Sequence, residues 1–272
     1  MTLYKSCDHG YHTFCLETVL WSVPTGIGVA MDALSELATM GLPMVKLTLG
    51  QFREKANNFE DLYFQSKMPF NPVLNKPRQV TGDDVERELG KLVEIVHETV
   101  EVEYGANIHS TTDGSSLMTI EKQPSCPSSR DPWTRNNLPR CPVSLFRHIK
   151  HDVSGMAVPR LYVGMCFSTL HWHNEDNYTY SANYQHLGST KTWYGIPGSD
   201  ARTFEYSMRE AVLELFEQQP DLLFQLVTLL TPYLMKAGVK VYALDQRAGQ
   251  FVATFPWAYG ARFNHGMSFL AK

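Results

Sequence analysis

The sequence has few of the features that mark secreted, membrane-spanning or nucleic-acid-binding chains. Its five cysteines are an odd number with no regular spacing beyond the first pair, which argues against a disulfide framework. The longest aliphatic stretch, residues 222–230, is far shorter than the roughly 20 residues needed to span a bilayer. The N-terminus has no apolar segment behind a basic start, so we expect a reducing compartment. The net charge of -4 predicts no membrane association and no direct nucleic-acid binding.

Apolar residues, in contrast, are plentiful enough to form a large core. Hydrophobic residues make up 43% of the chain and charged residues 19%, below the ~25% of average domains. Composition and motifs divide the 272 residues into three segments. Residues 1–30 carry a Cys/His cluster and a Gly/Pro stretch, residues 31–80 form a helical or linker segment, and residues 81–272 form the main domain.

Two patterns mark the first half of the main domain. The segment TGDDVERELGKLVEIVHETV has apolar side chains at helical spacing, and Thr81 and Asp84 are spaced as in a capping box, so we predict a helix. Its apolar positions are Val85, Leu89, Leu92, Val96 and Val100. Residues 111–144 are rich in Ser, Thr, Pro, Asp and Asn, which predicts a long surface loop.

After this loop, short runs rich in β-branched and aromatic residues predict strands. They are PRLYVGMCF, YTYSANY, KTWYGI, VKVYAL and GQFVATF. Two predicted helices interrupt them, at residues 201–218 and in DLLFQLVTLL. Many short strands with few helices predict a mainly β fold with flanking helices (α+β). An antiparallel sandwich or jelly roll is favoured over a parallel βαβ sheet.

The segment HWHNEDNYTY carries a possible metal-binding pattern. His173 and Glu175 are two residues apart, so in an extended segment their side chains point to the same face. With a distant second histidine, this pair would form the facial triad of non-haem Fe(II) oxygenases. His171 and His173 have the same spacing and compete as a zinc or copper pair. His171 and His186 are equally compatible with ordinary hydrogen-bonded histidines.

The wider segment FSTLHWHNEDNYTYSANYQHLGSTKTWYGIPG resembles the core of the JmjC (jumonji C) domain. The resemblance extends from about Leu47 to Phe269 and is best for the ARID- and PHD-containing (JARID-type) subfamily. The landmarks VEYGANIHS, WTRNNLP, DVSGMAVPRLYVGMCFS, KTWYGIPG, QPDLLFQLVTLL and FNHG occur in that subfamily's order. The family are Fe(II)- and 2-oxoglutarate-dependent oxygenases with a double-stranded β-helix (jelly-roll, cupin-like) fold.

The resemblance implies a function in chromatin regulation. The subfamily demethylates trimethylated lysine 4 of histone H3, by hydroxylating the N-methyl carbon so that formaldehyde is released. A histone lysine demethylase-like protein would have the histone H3 tail and chromatin complexes as partners, and would reside in the nucleus.

The same resemblance implies the residues of a metal and co-substrate site. His173 and Glu175 would be the first two iron ligands. Lys191 would be the cationic partner of the 2-oxoglutarate carboxylate, since a cation inside a jelly roll needs an anion to avoid an unpaired buried charge.

Further positions match the lining of the co-substrate pocket. Tyr104 and Asn183 match residues that hydrogen-bond the co-substrate, and Ser181 alternates onto the same strand face as Asn183. Tyr162 and Trp193 match aromatic walls of the pocket.

The chain departs from the family pattern at the third iron ligand. The segment TFPWAYGARFNHG has Gly260 where the family has the second ligand histidine, and glycine has no ligand atom. His265, five residues further on, matches a variable position and is not expected to replace that ligand. Other departures are Arg160, Leu170 and Asn107, which stand where the family has tryptophan, phenylalanine and aspartate. The alternative function is therefore a catalytically inactive JmjC pseudo-enzyme that acts as a chromatin-binding scaffold.

The N-terminal segment resembles the central part of a PHD finger, which holds two zinc ions. Cys7, His12 and Cys15 match zinc ligands, but Tyr4 stands where a cysteine belongs and the closing Cys-x-x-Cys is absent. Neither tetrahedral site can be completed, so we expect a degenerate remnant without zinc. The chain ends at MSFLAK, where the family continues into its last jelly-roll strand, so we also expect a truncated domain.

Overall fold

The structure of the protein is a computed structural model, which describes most of the chain from residue 46 onward and two short segments before it. The described residues are 2–5, 19–21, 46–73, 75–94, 100–110, 119–151, 153, 155–211, 213, 217 and 231–272. Cys7, His12 and Cys15 and the predicted helix DLLFQLVTLL lie outside them.

Strands make up most of the regular structure in this part of the chain. They are β1 Thr2–Lys5, β2 Val19–Trp21, β3 Lys46–Thr48, β4 Phe70–Asn71, β5 Lys76–Pro77, β6 Tyr104–His109, β7 Arg160–Gly164, β8 Thr169–His173, β9 Ser181–Gly188, β10 Lys191–Ile196, β11 Tyr242–Gln246, β12 Gln250–Thr254, β13 Tyr259–Asn264 and β14 Ser268–Ala271. A six-stranded sheet has the order β1-β12-β9-β14-β7-β6, and a four-stranded sheet has the order β11-β10-β13-β8. All pairings in both sheets are antiparallel.

Four α-helices of the described segments flank the sheets. They are α1 Leu49–Gln65, α2 Gly82–Glu94, α3 Ala201–Ala211 and α4 Thr231–Lys236. The predicted capping box of α2 is present, since the Thr81 backbone N–H donates to Asp84 Oδ2 at 2.9 Å and the Asp84 N–H donates to Thr81 Oγ1 at 3.4 Å. No helix among the described residues is both long enough and apolar enough to cross a membrane.

The described apolar residues form three clusters, one inside the jelly roll and one on the outer face of each sheet. The interior cluster contains Tyr162, Trp193, Val252 and Leu270, which come from both sheets. On the outside of the six-stranded sheet, α1 packs against β7 and β14, and on the outside of the four-stranded sheet α2, α3 and α4 pack against β8, β10 and β13. The mainly β jelly roll with flanking helices is thus confirmed.

The segment MSFLAK contains a strand that composition did not predict, since Ser268–Ala271 lies between β7 and β9. Its side chains alternate, with Leu270 in the interior cluster and Phe269 and Ala271 under α1, which explains why so short a run is stable as a strand. The expected truncation of the domain stays a prediction. The predicted loop contains no strand at residues 119–144, where turns and short three-ten helices occur instead.

Candidate functional site

The interior face of β13 organises the candidate site. Gly260, Arg262 and Asn264 pair with Gly195, Trp193 and Lys191 of β10, and both sets alternate onto the interior face. The intervening residues of β13 (Tyr259, Ala261 and Phe263) belong to the outer cluster under the helices. The predicted ligand position Gly260 therefore faces inward, as the family pattern requires.

His173 is the last residue of β8 and has a fixed ring orientation. Its Nδ1 lies 2.7 Å from the carbonyl oxygen of His171. Because a carbonyl only accepts, Nδ1 carries the proton and Nε2 keeps its lone pair. Burial lowers the pKa of His173 to about 4, with a smaller contribution from the charge of Lys272, against the opposing charge of Glu175. The imidazole is neutral at pH 7.

Glu175 lies two residues beyond the end of β8, and its backbone is extended, so the segment that carries both residues is extended although β8 itself ends at His173. The strand ends at His173 because residues 176–178 turn into a three-ten helix, and Glu175 is the residue before that turn. Burial raises the pKa of Glu175, but the charges of Lys272 and His173 and hydrogen bonds from Lys272 and Ser181 outweigh it. The pKa is therefore below its usual range. Glu175 and His173 remain close enough to influence each other's ionisation.

Lys272 makes an ion pair with this carboxylate. Its Nζ lies 2.6 Å from Glu175 Oε2, and each side chain is 15% exposed. The backbone of Lys272 is anchored to Arg160 by hydrogen bonds of 2.9 and 3.0 Å. Burial lowers the pKa of Lys272, and the Glu175 carboxylate opposes that shift. Sequence analysis missed Lys272, although the alternation Ser268, Leu270, Lys272 would place it on the interior face.

Arg262 is the second residue that sequence analysis missed. Its side chain is 2% exposed, and Nη1 donates to Asn183 Oδ1 at 3.0 Å. The guanidinium lies 4.5 Å from the centre of the Trp193 ring and 5.2 Å from that of Tyr162. It therefore occupies the space between residues predicted to line the co-substrate pocket. Its position two residues after Gly260 in a strand is the signal that would have revealed it.

Lys191 is buried but does not face an acidic residue. Its side chain is 1% exposed, and Nζ donates to Asn264 Oδ1. The same amide oxygen accepts from Ser268 Oγ at 2.8 Å, and Asn264 Nδ2 donates to Ser168 Oγ at 2.6 Å. Burial and then the charge of Arg262 hold the pKa of Lys191 well below its usual range. An amide, not a carboxylate, is thus its partner here.

The remaining predicted pocket residues lie around this centre. Asn183 Nδ2 donates to Ser181 Oγ at 3.2 Å, as expected for side chains on one strand face, and Ser181 Oγ lies 2.6 Å from Thr254 Oγ1. The rings of Tyr104 and Tyr162 are 6.3 Å apart. Burial raises the pKa of Tyr162 to about 12, so its hydroxyl stays protonated.

Three further histidines that the structure describes, His265, His186 and His171, do not complete a ligand set with His173 and Glu175. His265 Nε2 lies 2.7 Å from Thr192 Oγ1, whose neighbours Lys191 and Trp193 take the interior face, so His265 does not replace the missing ligand. His186 packs between the rings of Tyr184 and Phe269, and burial lowers its pKa to about 3. Burial also lowers the pKa of His171.

The other residues that depart from the family pattern lie on strands of the two sheets. Arg160 begins β7 and lines the cleft described below. Leu170 is buried and pairs with Arg262 across β8 and β13. The backbone of Asn107 lies within β6, and that of Tyr4 lies in β1, where it pairs with Phe251.

The residues do not fit a three-ligand metal centre. Gly260 pairs directly with His173 and supplies no donor atom. The described part of the chain contains no group of three or more His, Cys, Asp and Glu side chains arranged to hold a metal ion. Space is not the obstacle, because a Cβ at Gly260 would meet only Thr254 and Trp193 atoms, both at 4.0 Å. What opposes the metal is the missing donor and the ammonium of Lys272 beside Glu175.

A cleft leads from the surface to this centre. It has a volume of about 610 Å³, and its inner wall contains Tyr162, Glu175, Ser181 and Lys272. The outer walls are mostly apolar and include Trp133, Leu138, Val143, Phe146, Met156 and Tyr180. Much of this wall comes from residues 132–156, so the predicted surface loop forms one side of the cleft.

The fold and this site together define a jelly-roll domain whose centre lacks the third metal ligand. Residues 160–272 match the family described as "JmjC domain, hydroxylase". Over 285 residues the chain is 42% identical to "Lysine-specific demethylase 5B" of Gallus gallus, covering 99% of this chain and 18% of that protein. Over 276 residues it is 41% identical to "Lysine-specific demethylase 5D" of Homo sapiens, covering 97% and 17%.

A plant protein matches to a similar degree. Over 270 residues the chain is 40% identical to "Putative lysine-specific demethylase JMJ16" of Arabidopsis thaliana, covering 93% of this chain and 22% of that protein. The chain therefore belongs to the JmjC family and is related within it to the lysine-specific demethylases, a family that generally depends on Fe(II) and 2-oxoglutarate. It spans about a fifth of the length of the curated relatives it matches.

Proposed function

We propose that this chain is a JmjC domain that binds histone tails at chromatin without demethylating them. The observation that carries the proposal is the Lys272 ammonium at 2.6 Å from Glu175, next to a Gly260 that gives no ligand atom opposite His173. The protein thus supplies the charge partner that the carboxylate would otherwise find in a metal ion.

The energetics favour this ion pair over a bound metal. Iron would have to displace Lys272 from Glu175, leaving a mostly buried ammonium without its partner. It would also bind with only two protein ligands. Loss of a direct ligand should weaken metal binding more than the roughly 10- to 100-fold that follows loss of an outer hydrogen-bonding partner.

The cleft supports the binding part of the proposal. Its wall carries the aromatic side chains of Trp133, Phe146 and Tyr180, and the carboxyl group of Asp176 lies in the same cleft. Aromatic faces and nearby carboxylates attract methylated ammonium groups. Because the relatives are lysine-specific demethylases, we propose the histone H3 tail with trimethylated lysine 4 as the ligand, chromatin complexes as partners and the nucleus as the location.

An active demethylase is the second candidate function. The neutral His173, with its Nε2 lone pair available, favours it, because that half of the family's metal site is retained. In this case Fe(II) and 2-oxoglutarate would hydroxylate N-methyl-lysine despite the missing third ligand.

One assay separates the two functions. The purified chain is incubated with Fe(II), 2-oxoglutarate and a trimethyl-lysine histone H3 peptide, and succinate and formaldehyde are measured. Peptide binding is measured separately by fluorescence anisotropy in the presence of a chelator. We expect peptide binding but no product above a no-enzyme control. Product formation by the unchanged chain would overturn the proposal in favour of the demethylase.

Matched variants test which residues prevent metal binding and where the peptide binds. Gly260→His together with Lys272→Ala restores a third donor and frees Glu175, so we expect metal binding to return. Lys240→Ala, which removes an exposed lysine, is the control for loss of one positive charge. Trp133→Ala should weaken peptide binding. If no substitution in the cleft changes the affinity for the peptide, binding in the cleft is contradicted.

A further inference from the structure

Arg262 is a buried cation with unused hydrogen-bond donors. Its Nη1 has the Asn183 side chain as partner, but Nε and Nη2 are inaccessible and have no hydrogen-bond partner among the described residues. These two groups form the planar, two-pronged edge with which a guanidinium binds a carboxylate. The Trp193 and Tyr162 rings hold the guanidinium in place.

Arg262 has no counterion among the residues that the structure describes. No ion pair among the described residues includes Arg262. The charge of Arg262 lowers the pKa of Lys191 and of Lys272, so two further cations lie close enough to be affected by it. The carboxylate of Glu175 is paired with Lys272. A buried charge without a counterion is strongly unfavourable.

We infer that Arg262 anchors a metal-independent site for a small carboxylate anion inside the jelly roll. The two free N–H groups of Arg262 would donate to the two carboxylate oxygens. Ser181 and Tyr162, which border the inner end of the cleft, are the nearby neutral hydroxyl groups. The anion would neutralise the guanidinium without needing a metal ion.

The cleft offers a route for such an anion. Gly260, which carries no side chain, and Arg262 are two residues apart on the interior face of β13. The cleft reaches Tyr162, whose ring lies 5.2 Å from the guanidinium. Small adjustments of side chains in this interior would bring a carboxylate from the cleft to Nε and Nη2.

The anion site lies in the same interior as the centre of the proposed function, and it rests on the proposal that this centre binds no metal ion. The two can fail separately. Succinate formation would overturn the proposed function, whereas a carboxylate that binds only when a divalent metal is added would overturn the anion site.

The test is a titration of the full chain, purified and kept in a chelator. Acetate, succinate and 2-oxoglutarate are added at constant ionic strength, with chloride as the reference anion. The dissociation constant is measured by calorimetry, and the unfolding temperature by circular dichroism. We expect a carboxylate to bind and to raise the unfolding temperature, and Mn(II) in place of the chelator to leave the affinity unchanged.

Three variants make the test specific to Arg262. Arg262→Gln should weaken carboxylate binding roughly 10- to 100-fold, as expected for loss of hydrogen bonds to a charged group. Arg262→Lys keeps the charge but loses the two-pronged geometry. Its affinity for carboxylates should lie between those of the unchanged chain and of Arg262→Gln. Arg202→Gln, which removes an exposed arginine of α3, should bind like the unchanged chain.

Stability distinguishes lost binding from failed folding. In buffer without carboxylates, Arg262→Gln should unfold at a higher temperature than the unchanged chain, because it removes an unpaired buried charge. The inference is overturned if no carboxylate binds the unchanged chain, if Arg262→Gln binds as tightly, or if chloride protects as well as carboxylates do.

Discussion

At the scale of single residues, the candidate site combines a missing ligand atom with two buried cations. Gly260 removes a ligand, Lys272 occupies the Glu175 carboxylate, and Arg262 fills part of the co-substrate pocket. These changes are mutually consistent, because each one lowers the affinity of the interior for a metal ion. The sequence resemblance identified the position of the first change but not of the other two.

Lys272→Ala tests the ion pair. Removing the ammonium leaves Glu175, which is mostly buried, without its partner, so we expect a loss of about 1–3 kcal/mol in the free energy of unfolding at pH 7. The measurement is urea unfolding, with Lys240→Ala as the control. Equal stability of both variants would mean that the pair does not form in solution.

The same variant should change the dependence of stability on pH. The folded pKa of Glu175 is below its usual value of 4.5, so the pair stabilises the fold above about pH 4.5. That contribution is lost as the pH falls through the folded pKa. We therefore expect a steeper acid decline of the unfolding free energy in the unchanged chain than in Lys272→Ala. If the unfolding free energies of the two proteins fall in parallel from pH 7 to acid pH, the contribution of the ion pair is contradicted.

At the scale of elements, the start of α2 depends on one buried carboxylate. Asp84 is 2% exposed and accepts hydrogen bonds from Thr81, Arg78 and Arg87. The hydrogen bond from Arg78 is the largest cause that holds the pKa of Asp84 well below its usual range. The capping-box spacing predicted the contact with Thr81, while the arginine contacts depend on packing.

Asp84→Asn tests this cap. We expect it to destabilise the fold by about 1–3 kcal/mol at pH 7, because a buried acceptor of several hydrogen bonds loses its charge. Asp83→Asn is the matched control, since Asp83 is exposed in the same first turn. The difference between the two variants should shrink at acid pH, where the unchanged Asp84 loses its charge. A persistent difference at low pH would point to packing instead.

Element prediction from sequence succeeded where one face of a strand is clearly apolar. The five runs predicted as strands correspond to β7, β9, β10, β11 and β12. The four-residue β14 was missed because its register depends on pairing with β7 and β9 at once, which local composition does not encode. Lys272 and Arg262 follow from alternation with Leu270 and Gly260, but only once the segments that carry them are recognised as strands.

At the scale of the whole molecule, apolar packing connects the two sheets and the helices around the site. Both sheets contribute to the interior cluster, and the helices cover the outer faces. The cleft remains open to the surface beside Glu175 and Lys272. The division of residues 1–80 into a finger remnant and a linker stays a prediction.

The most direct test of the altered centre is Mn(II) binding, measured by isothermal titration calorimetry on the purified chain and on Gly260→His/Lys272→Ala. Mn(II) serves as a redox-stable substitute for Fe(II). We predict no stoichiometric binding to the unchanged chain and one bound ion per molecule in the double variant. One tightly bound Mn(II) ion per molecule of the unchanged chain, with Lys272 still present, would contradict the proposal that cations of the protein take the place of the metal.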